Sequence, residues 1–196
     1  MGRRSEIERV TSETQVSVTL DLDERSGVKV ETGIGFFDHM LNALARHGGL
    51  GLSLTCKGDL WIDAHHSMED TGLALGQALR EALGDKRGIS RFGFFYAPLD
   101  ESLARTVIDL SGRPHLSWRC AFPEAEAGGV SVRLHHEFFQ ALANAAGMTL
   151  HVDLLSCEES HHGLEAIYKS FGRALRQAVS LTGVVGEIPS TKGTLA

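Results

Sequence analysis

The sequence carries two copies of a histidine–glutamate pattern whose residue types suit a divalent metal ion. Each copy is a histidine pair followed three residues later by a glutamate: HHSME begins at His65 and HHGLE begins at His161. In a helix, the first histidine and the glutamate of each copy lie one turn apart on one face. Nitrogen and oxygen ligands without thiolate suit Mn, Fe, Co, Ni or Zn. Two copies predict two ions, and the spacing alone does not choose the element.

The geometry of a helix limits how these side chains can share the ions. Adjacent histidines point about 100° apart, so one pair does not easily chelate a single ion. We therefore expect each ion to take one histidine from each repeat. One ion would take His65 and Glu69 while His66 faces the other, and the second repeat would mirror this with His161, Glu165 and His162. The alternative without metal is a pair of solvated polar faces at two helix N-termini.

The elements that must position these residues occur twice along the chain. Residues 11–23 alternate apolar and polar side chains like a half-buried strand, and the following GVKVETG segment predicts a hairpin with it. A short helix ends at Gly48–Gly49, and a long helix begins at the first histidine pair. Laying NALARHGGLGLSL over QALANAAGMTLHV aligns the two halves at an offset of 98 residues. The pattern predicts an internal duplication.

Composition limits the class of protein. A length of 196 residues allows one large domain or two small ones, and the net charge of −6 argues against a general nucleic-acid binder. The three cysteines form no CxxC pair, so neither a disulfide scaffold nor a zinc ribbon is indicated. The first residues lack the apolar core of a signal peptide, and no apolar run approaches about 20 residues. We expect a cytoplasmic protein with no membrane or nucleic-acid partner.

Several cationic and hydroxyl residues could bind an anion. The PSTKG segment, residues 189–193, combines two hydroxyls, a lysine and a glycine, although it is no P-loop. Arg91 and Arg113 each stand beside turn-forming residues at a predicted strand boundary. Seen alone they would be ordinary surface charges, and they gain a role only if a metal enzyme holds a small anionic substrate. Lys169 follows Glu165 on one helix and could reach the same pocket.

The whole chain resembles the imidazoleglycerol-phosphate dehydratase family. Seven segments occur in the order that the family shows: TSET, TGIGFFDHML, GDLWIDAHHSMEDTGLALG, RFGFFYAPLDE, DLSGRP, HHGLEAIYKSFGRALRQA and PSTKG. The resemblance implies an α+β fold built by tandem duplication of a β-sheet/two-helix unit (ribosomal protein S5 domain 2-like), with helices packed between two four-stranded sheets. We expect one domain over residues 1–196, with halves at roughly 1–90 and 91–183 and a C-terminal arm at 184–196.

The resemblance also implies an activity and a cofactor. The family dehydrates D-erythro-imidazole-glycerol phosphate to imidazole acetol phosphate and water in histidine biosynthesis, with two Mn²⁺ ions per active site. Its members form 24-subunit particles whose active sites are shared between subunits, and we expect the same here. By position, one manganese would take His39, His66, His161 and Glu165, and the other would take His65, Glu69 and His162. A further ligand stays open between His136 and Glu137, because many members carry histidine where Glu137 stands.

The remaining roles follow from the same resemblance. The substrate's reactive proton is not beside a carbonyl, so the imidazole ring must act as the electron sink, with the two metal ions stabilising an imidazolate. Glu13 of TSET is the candidate for proton transfer, and the predicted catalytic set is completed by Glu69 and Glu165. Arg91, Arg113, Ser190 and Lys192 would hold the phosphate, with His47 and Lys169 nearby. The full set of residues expected to contact the substrate is Glu13, His39, His47, His65, His66, Glu69, Arg91, Arg113, His161, Lys169, Ser190, Thr191 and Lys192.

Two other classes are compatible with the motifs alone. A dinuclear metallohydrolase would use the same ligands to activate a hydroxide against a phosphate ester or a peptide. A metal-storing or scaffold particle would bind many ions per subunit and would have no need for Arg91 or Lys192.

Overall fold

The structure, a computed structural model, describes residues 2–24, 27–182 and 186–195. The first unit begins with strands because apolar residues alternate with polar ones, so that Val16, Val18 and Leu20 are buried on one face. The first unit contains, in order, β1 (Arg4–Val10), β2 (Thr14–Asp21), β3 (Val28–Glu31), α1 (Gly35–Gly48), β4 (Gly51–Gly58) and α2 (His65–Leu83).

The second unit repeats this order and adds a short ribbon. It contains β5 (Phe92–Leu99), β6 (Ser102–Asp109), β7 (His115–Arg119), the ribbon β8 (Glu126–Ala127) and β9 (Val130–Ser131), α3 (Val132–Ala146), β10 (Thr149–Ser156) and α4 (Ser160–Val179). Residues 183–185 and 196, which belong to the predicted second half and arm, lie outside the described residues.

The two sheets share one topology. The first has strand order β1-β2-β4-β3 and the second has β5-β6-β10-β7. In each sheet the first three strands pair antiparallel, and the fourth pairs parallel to its neighbour. Identical order and direction in both units confirm the predicted tandem duplication and the α+β class.

One predicted strand pairing is wrong. The sequence pattern predicts a hairpin between β2 and β3. In the structure, β3 pairs parallel to β4, and β2 pairs with β1. The alternation in β1 is hard to recognise because only Ser5 and Ile7 turn inward among charged residues. The actual hairpin therefore lies between β1 and β2, and its turn carries Glu13.

The helices lie between the sheets and pack across the two units. α2 contacts β1 and β2 on one side and α3 on the other, while α4 contacts β5, β6 and α1. The helices approach closely because glycine faces backbone: a Cβ on Gly72 would lie 2.5 Å from the Phe138 carbonyl oxygen. α1 ends at Gly48, as predicted, and Gly49 follows in the left-handed conformation. This packing brings α1 beside the start of α4.

None of the helices in the described part of the chain is both long and apolar enough to cross a membrane.

Candidate metal centre and active site

A carboxylate accepts backbone hydrogen bonds at the start of each histidine-bearing helix, and in α4 it belongs to the N-cap residue itself. The Glu159 carboxylate accepts hydrogen bonds from the backbone N–H groups of His161 and His162, at 3.0 and 2.8 Å. At α2, the Asp63 carboxylate accepts from the N–H of His65 at 2.7 Å. Both histidine pairs therefore occupy the first turn of their helix.

A histidine–carboxylate cluster forms where α1 meets α4. Oε2 of Glu165 lies 3.2 Å from Nε2 of His39 and 3.4 Å from Nε2 of His161. One ligand atom from each of the three residues falls within 4.8 Å of the others. Two imidazole nitrogens and a carboxylate oxygen converging at this separation fit a divalent transition metal. These three residues belong to the set predicted for one ion.

The carboxylate of this cluster is held in its ionised form. Burial raises the pKa of Glu165, but its contacts with Lys169 and His39 outweigh burial and leave the pKa below its usual range. The Lys169 ammonium lies 2.7 Å from Oε1 of Glu165, which leaves Oε2 to the histidines. An anionic oxygen facing two imidazoles is the charge arrangement that a metal cation requires.

The Lys169 charge also acts on His47, a second residue of the predicted substrate site. Burial lowers the pKa of His47 on α1, and the positive charges of Lys169 and Arg173 lower it further. The Glu165 charge acts on His47 in the opposite direction, so His47 lies near both charged groups of the cluster. The family resemblance places both residues near the substrate phosphate.

The corresponding residues lie on α2 of the first unit and α3 of the second. Nε2 of His65 lies 3.4 Å from Oε2 of Glu69, the same separation as in the second unit. The duplication offset aligns His39 with Glu137, and Glu137 lines the same open cleft of about 840 Å³ as His65. Nδ1 of His136 lies 3.1 Å from Oε1 of Glu137. Both residues left open as the further ligand therefore stand near this second histidine–glutamate pair.

The second histidine of each pair lies apart from these sets within one chain. Nδ1 of His66 is 2.9 Å from Asp59, and its Nε2 is 3.8 Å from Glu13. Nδ1 of His162 is 3.1 Å from Glu101. His66, expected with the His39 cluster, and His162, expected with His65, each contact a carboxylate of their own unit instead.

Sequence reasoning missed Asp59 and Glu101. Both stand directly beside a strand end, Asp59 after β4 and Glu101 before β6. Both also fall inside segments that carry the family resemblance, GDLWIDAHH and RFGFFYAPLDE, and acidic residues at strand ends beside a candidate ligand are the signal that could have found them.

One predicted anion-binding group, Arg91, contacts the C-terminal segment. Arg91 makes a two-point pair with Asp109, at 2.7 and 3.1 Å, and its third nitrogen donates to the carbonyl of Pro189 at 2.9 Å. The Ser190 hydroxyl accepts from the N–H of Lys192, which closes a turn. Arg113, Thr191 and Lys192 are exposed. Arg91 thus fastens the PSTKG segment to the end of β6.

A buried histidine lies behind the cluster and is not available as a ligand. Nδ1 of His135 is 2.9 Å from the Tyr168 hydroxyl, and the His135 ring meets Phe36 edge-on. Phe36 in turn contacts the ring of His161, with centroids 5.0 Å apart. Burial lowers the pKa of His135 to about 3, so this ring is neutral. His135 belongs to the aromatic core that supports His161.

Fold and site together define a class: a duplicated α+β protein whose helix ends gather histidines and carboxylates in a set that fits a divalent metal. Residues 32–175 match the family model described as imidazoleglycerol-phosphate dehydratase. A relative of that name from Aminomonas aminovorus is 52% identical over 194 residues, which cover 98% of this chain and 100% of the relative. Another, from Halorhodospira halophila, is 51% identical and covers 98% of each chain.

Solved structures give the same result. The imidazoleglycerol-phosphate dehydratase of Staphylococcus aureus subsp. aureus N315 superposes with a TM-score of 0.81 at 38% identity, covering 91% of this chain and 99% of that one. The Pyrococcus furiosus protein in complex with (S)-C348 gives a TM-score of 0.85 at 35% identity, covering 96% and 100%. The chain belongs to the imidazoleglycerol-phosphate dehydratase family. It is a hydro-lyase of histidine biosynthesis, as the sequence predicts.

Proposed function

We propose that this enzyme dehydrates D-erythro-imidazole-glycerol phosphate to imidazole acetol phosphate at a centre of two Mn²⁺ ions. The observation that carries the proposal is the convergence of His39, His161 and Glu165, two helices contributing imidazole and carboxylate to one point. This donor set has no thiolate, which suits manganese better than a soft metal. When bound, the ions would supply positive charge to the substrate ring and so stabilise its deprotonated form.

We assign the ligands to two sites, each formed by one helix from each unit. His39, His161 and Glu165 would hold one ion where α1 meets α4, and the equivalent residues His65, Glu69 and Glu137 support a second site where α2 meets α3. His136 contacts the Glu137 carboxylate at 3.1 Å, which favours Glu137 as the ligand and His136 as its neighbour. His66 and His162 would complete the two sets from another copy of the chain, because within one chain neither belongs to the group formed by His39, His161 and Glu165.

An assembly with shared sites, which we take to be a 24-subunit particle, is supported by exposed apolar side chains beside α2. Trp61 and Ile62 precede its histidine pair and expose 84% and 63% of their surfaces. Large apolar residues exposed together beside a functional group are typical of contact surfaces between proteins. A neighbouring copy that covers them would also bring its own ligands near His65.

Proton transfer is assigned to Glu13. Its side chain is half exposed, on the β1–β2 turn, and Oε1 lies 3.8 Å from Nε2 of His66. The turn is braced because the Thr11 hydroxyl accepts from the N–H groups of Glu13 and Thr14. Glu13 forms no ion pair with an arginine or lysine of the described residues. A carboxylate of this kind beside a candidate ligand can take a proton from the carbon next to the ring.

The phosphate of the substrate would be bound by cations and hydroxyls near the C-terminal segment. Arg113 and Lys192 are exposed and can turn toward an anion, with Ser190 and Thr191 offering hydroxyls and Lys169 with His47 lying on the cluster side. Arg91 would act through the segment that it fastens, and any phosphate contact from its guanidinium must compete with Asp109.

Product analysis tests this function. Protein loaded with Mn²⁺ is incubated with imidazoleglycerol phosphate, and the products are separated. We expect the keto phosphate with no free phosphate. Free phosphate without ketone would favour a dinuclear metallohydrolase, and neither product would contradict both assignments.

A further inference from the structure

The same ring contact occurs in both units. In the first, Nδ1 of His66 lies 2.9 Å from Oδ2 of Asp59, whose side chain is only 4% exposed. In the second, Nδ1 of His162 lies 3.1 and 3.3 Å from the two oxygens of Glu101. A carboxylate oxygen accepts hydrogen bonds and does not donate them, so the proton of each pair stands on Nδ1.

The two carboxylates do not descend from one position of the duplicated unit. Asp59 follows β4 directly, and the residue that follows β10 at the equivalent place, 98 positions later, is Cys157. Glu101 stands directly before β6, and the residue directly before β2 is Glu13. Each unit therefore reaches Nδ1 of its histidine from a different element. Independent placement of the same bond is unexpected if the bond had no role.

Because the partner of His66 is Asp59 and the partner of His162 is Glu101, the two glutamates that precede β2 and β6, Glu13 and Glu101, differ in their contacts. Glu101 is engaged with His162 and further oriented by the Ser102 hydroxyl, which donates to Oε1 at 3.0 Å. Its side chain is 26% exposed. Glu13 is 50% exposed and 3.8 Å from His66, because Asp59 already occupies Nδ1 of that ring. Since Asp59 accepts the Nδ1 proton of His66, Glu13 is not engaged with that nitrogen as Glu101 is with Nδ1 of His162.

We propose that Asp59 and Glu101 are positioning residues, each of which accepts the Nδ1 proton of its histidine and thereby leaves Nε2 for a metal. A ligating histidine held in this way has a fixed tautomer and ring orientation, and removing such a partner commonly lowers metal affinity by about 10–100-fold. Among the described residues, Nε2 of His66 and of His162 accepts no hydrogen bond that would compete. The inference rests on the proposed role of these histidines as ligands.

The test separates a positioning role from a structural one. The variants are Asp59→Leu and Glu101→Leu, which remove the acceptor, and Asp59→Asn and Glu101→Gln, whose amide oxygen can still accept. Glu8→Gln, an exposed position on β1, is the control. Two quantities are measured on metal-free full-length protein: the ¹⁵N chemical shifts of the labelled histidine rings by solid-state NMR, assigned with His66→Gln and His162→Gln, and Mn²⁺ affinity by equilibrium dialysis.

We expect the Nδ1–H tautomer of His66 and of His162 in the parent protein, in the control and in both amide variants. In the leucine variants it should disappear, and Mn²⁺ affinity should fall about 10–100-fold, with the amide variants within a few-fold of the parent. Leucine variants that keep the tautomer and the affinity would overturn the proposal. So would Glu101→Gln losing as much affinity as Glu101→Leu, because Glu101 would then be a ligand itself. No substrate is present, so failure of the proposed reaction would leave these results unchanged.

Discussion

Nε2 of His39 lies 3.2 Å from Oε2 of Glu165, although the two residues are 126 positions apart. The contact exists because α1 packs against α4, where a side chain at Gly172 would collide with the backbone of Leu44. One glycine therefore sets how closely the α1 ligand can approach the α4 ligands. Packing and chemistry are coupled at this point.

The close helix approach gives a stability prediction. Gly72→Ala should lower the free energy of unfolding by about 1–3 kcal/mol, since its Cβ would press on the α3 backbone at Phe138. Denaturant unfolding measures this change. Gly35→Ala, with open space at its Cβ, is the control and should be nearly neutral. Equal effects of the two substitutions would show that the backbone contact at Gly72 is unimportant.

Removal of the Lys192 charge should weaken substrate binding without loss of metal. Lys192→Ala should raise KM about 10–100-fold, the effect of losing one charge-assisted contact to phosphate, while metal content stays at two ions per subunit. Steady-state kinetics and metal analysis provide the two values. Lys57→Ala on β4 removes an exposed charge elsewhere and should change neither. An unaltered KM in Lys192→Ala would count against the phosphate site.

Arg91 should hold the PSTKG segment in place through its planar guanidinium, which binds several acceptors at once. Arg91→Lys keeps the charge but cannot hold both oxygens of Asp109 and the Pro189 carbonyl at once, so the PSTKG segment should loosen. We expect KM to rise about 10-fold and trypsin cleavage at Lys192 to accelerate. Arg4→Lys, in an exposed pair with Glu6, is the matched control. If cleavage and KM stayed at the parental values, Arg91 would have no role in fastening the segment.

The pH dependence of stability should reveal the ion pairs of Asp153 with Arg105 and Arg119. Burial raises the pKa of Asp153, but hydrogen bonds from Arg119 and Arg105 outweigh it and leave the pKa below its usual value of about 3.9. A lowered pKa stabilises the fold above the unfolded-state value, and this contribution is lost as pH falls through the folded-state value. Asp153→Asn should therefore cost roughly 1–3 kcal/mol at pH 7, and the difference from the parent should shrink below about pH 4.

Unfolding curves of the two proteins between pH 7 and pH 3 give this difference directly. A difference that stays constant over the whole range would show that the Asp153 charge contributes nothing.

The sequence predicts those features that depend on local spacing. The separation of His161 from Glu165 follows from one helical turn, and the stop of α1 follows from Gly48 and Gly49. The duplicated order of elements follows from the offset alignment. The parallel pairing of β3 with β4 does not follow, because short strands carry little register information and their partners are chosen by the tertiary fold.

In the site, too, some features follow from local spacing and others depend on the tertiary fold. Spacing placed His66 toward the other ion, whereas in one chain Asp59 holds its ring from the end of β4. No local pattern links residues 59 and 66, because the turn between them decides where the carboxylate lies. His135, in contrast, forms a third histidine pair with His136 in the sequence. Only its burial against Tyr168 identifies it as a core residue.

The central claim is that His39, His161 and Glu165 bind a divalent cation. Crystals grown with Mn²⁺ and measured on both sides of the manganese absorption edge test it most directly. The account predicts an anomalous peak within bonding distance of both imidazole Nε2 atoms and of Glu165, and no such peak in Glu165→Ala. A well-ordered cluster without a peak in the parent protein, or a peak that persists in the variant, would contradict it.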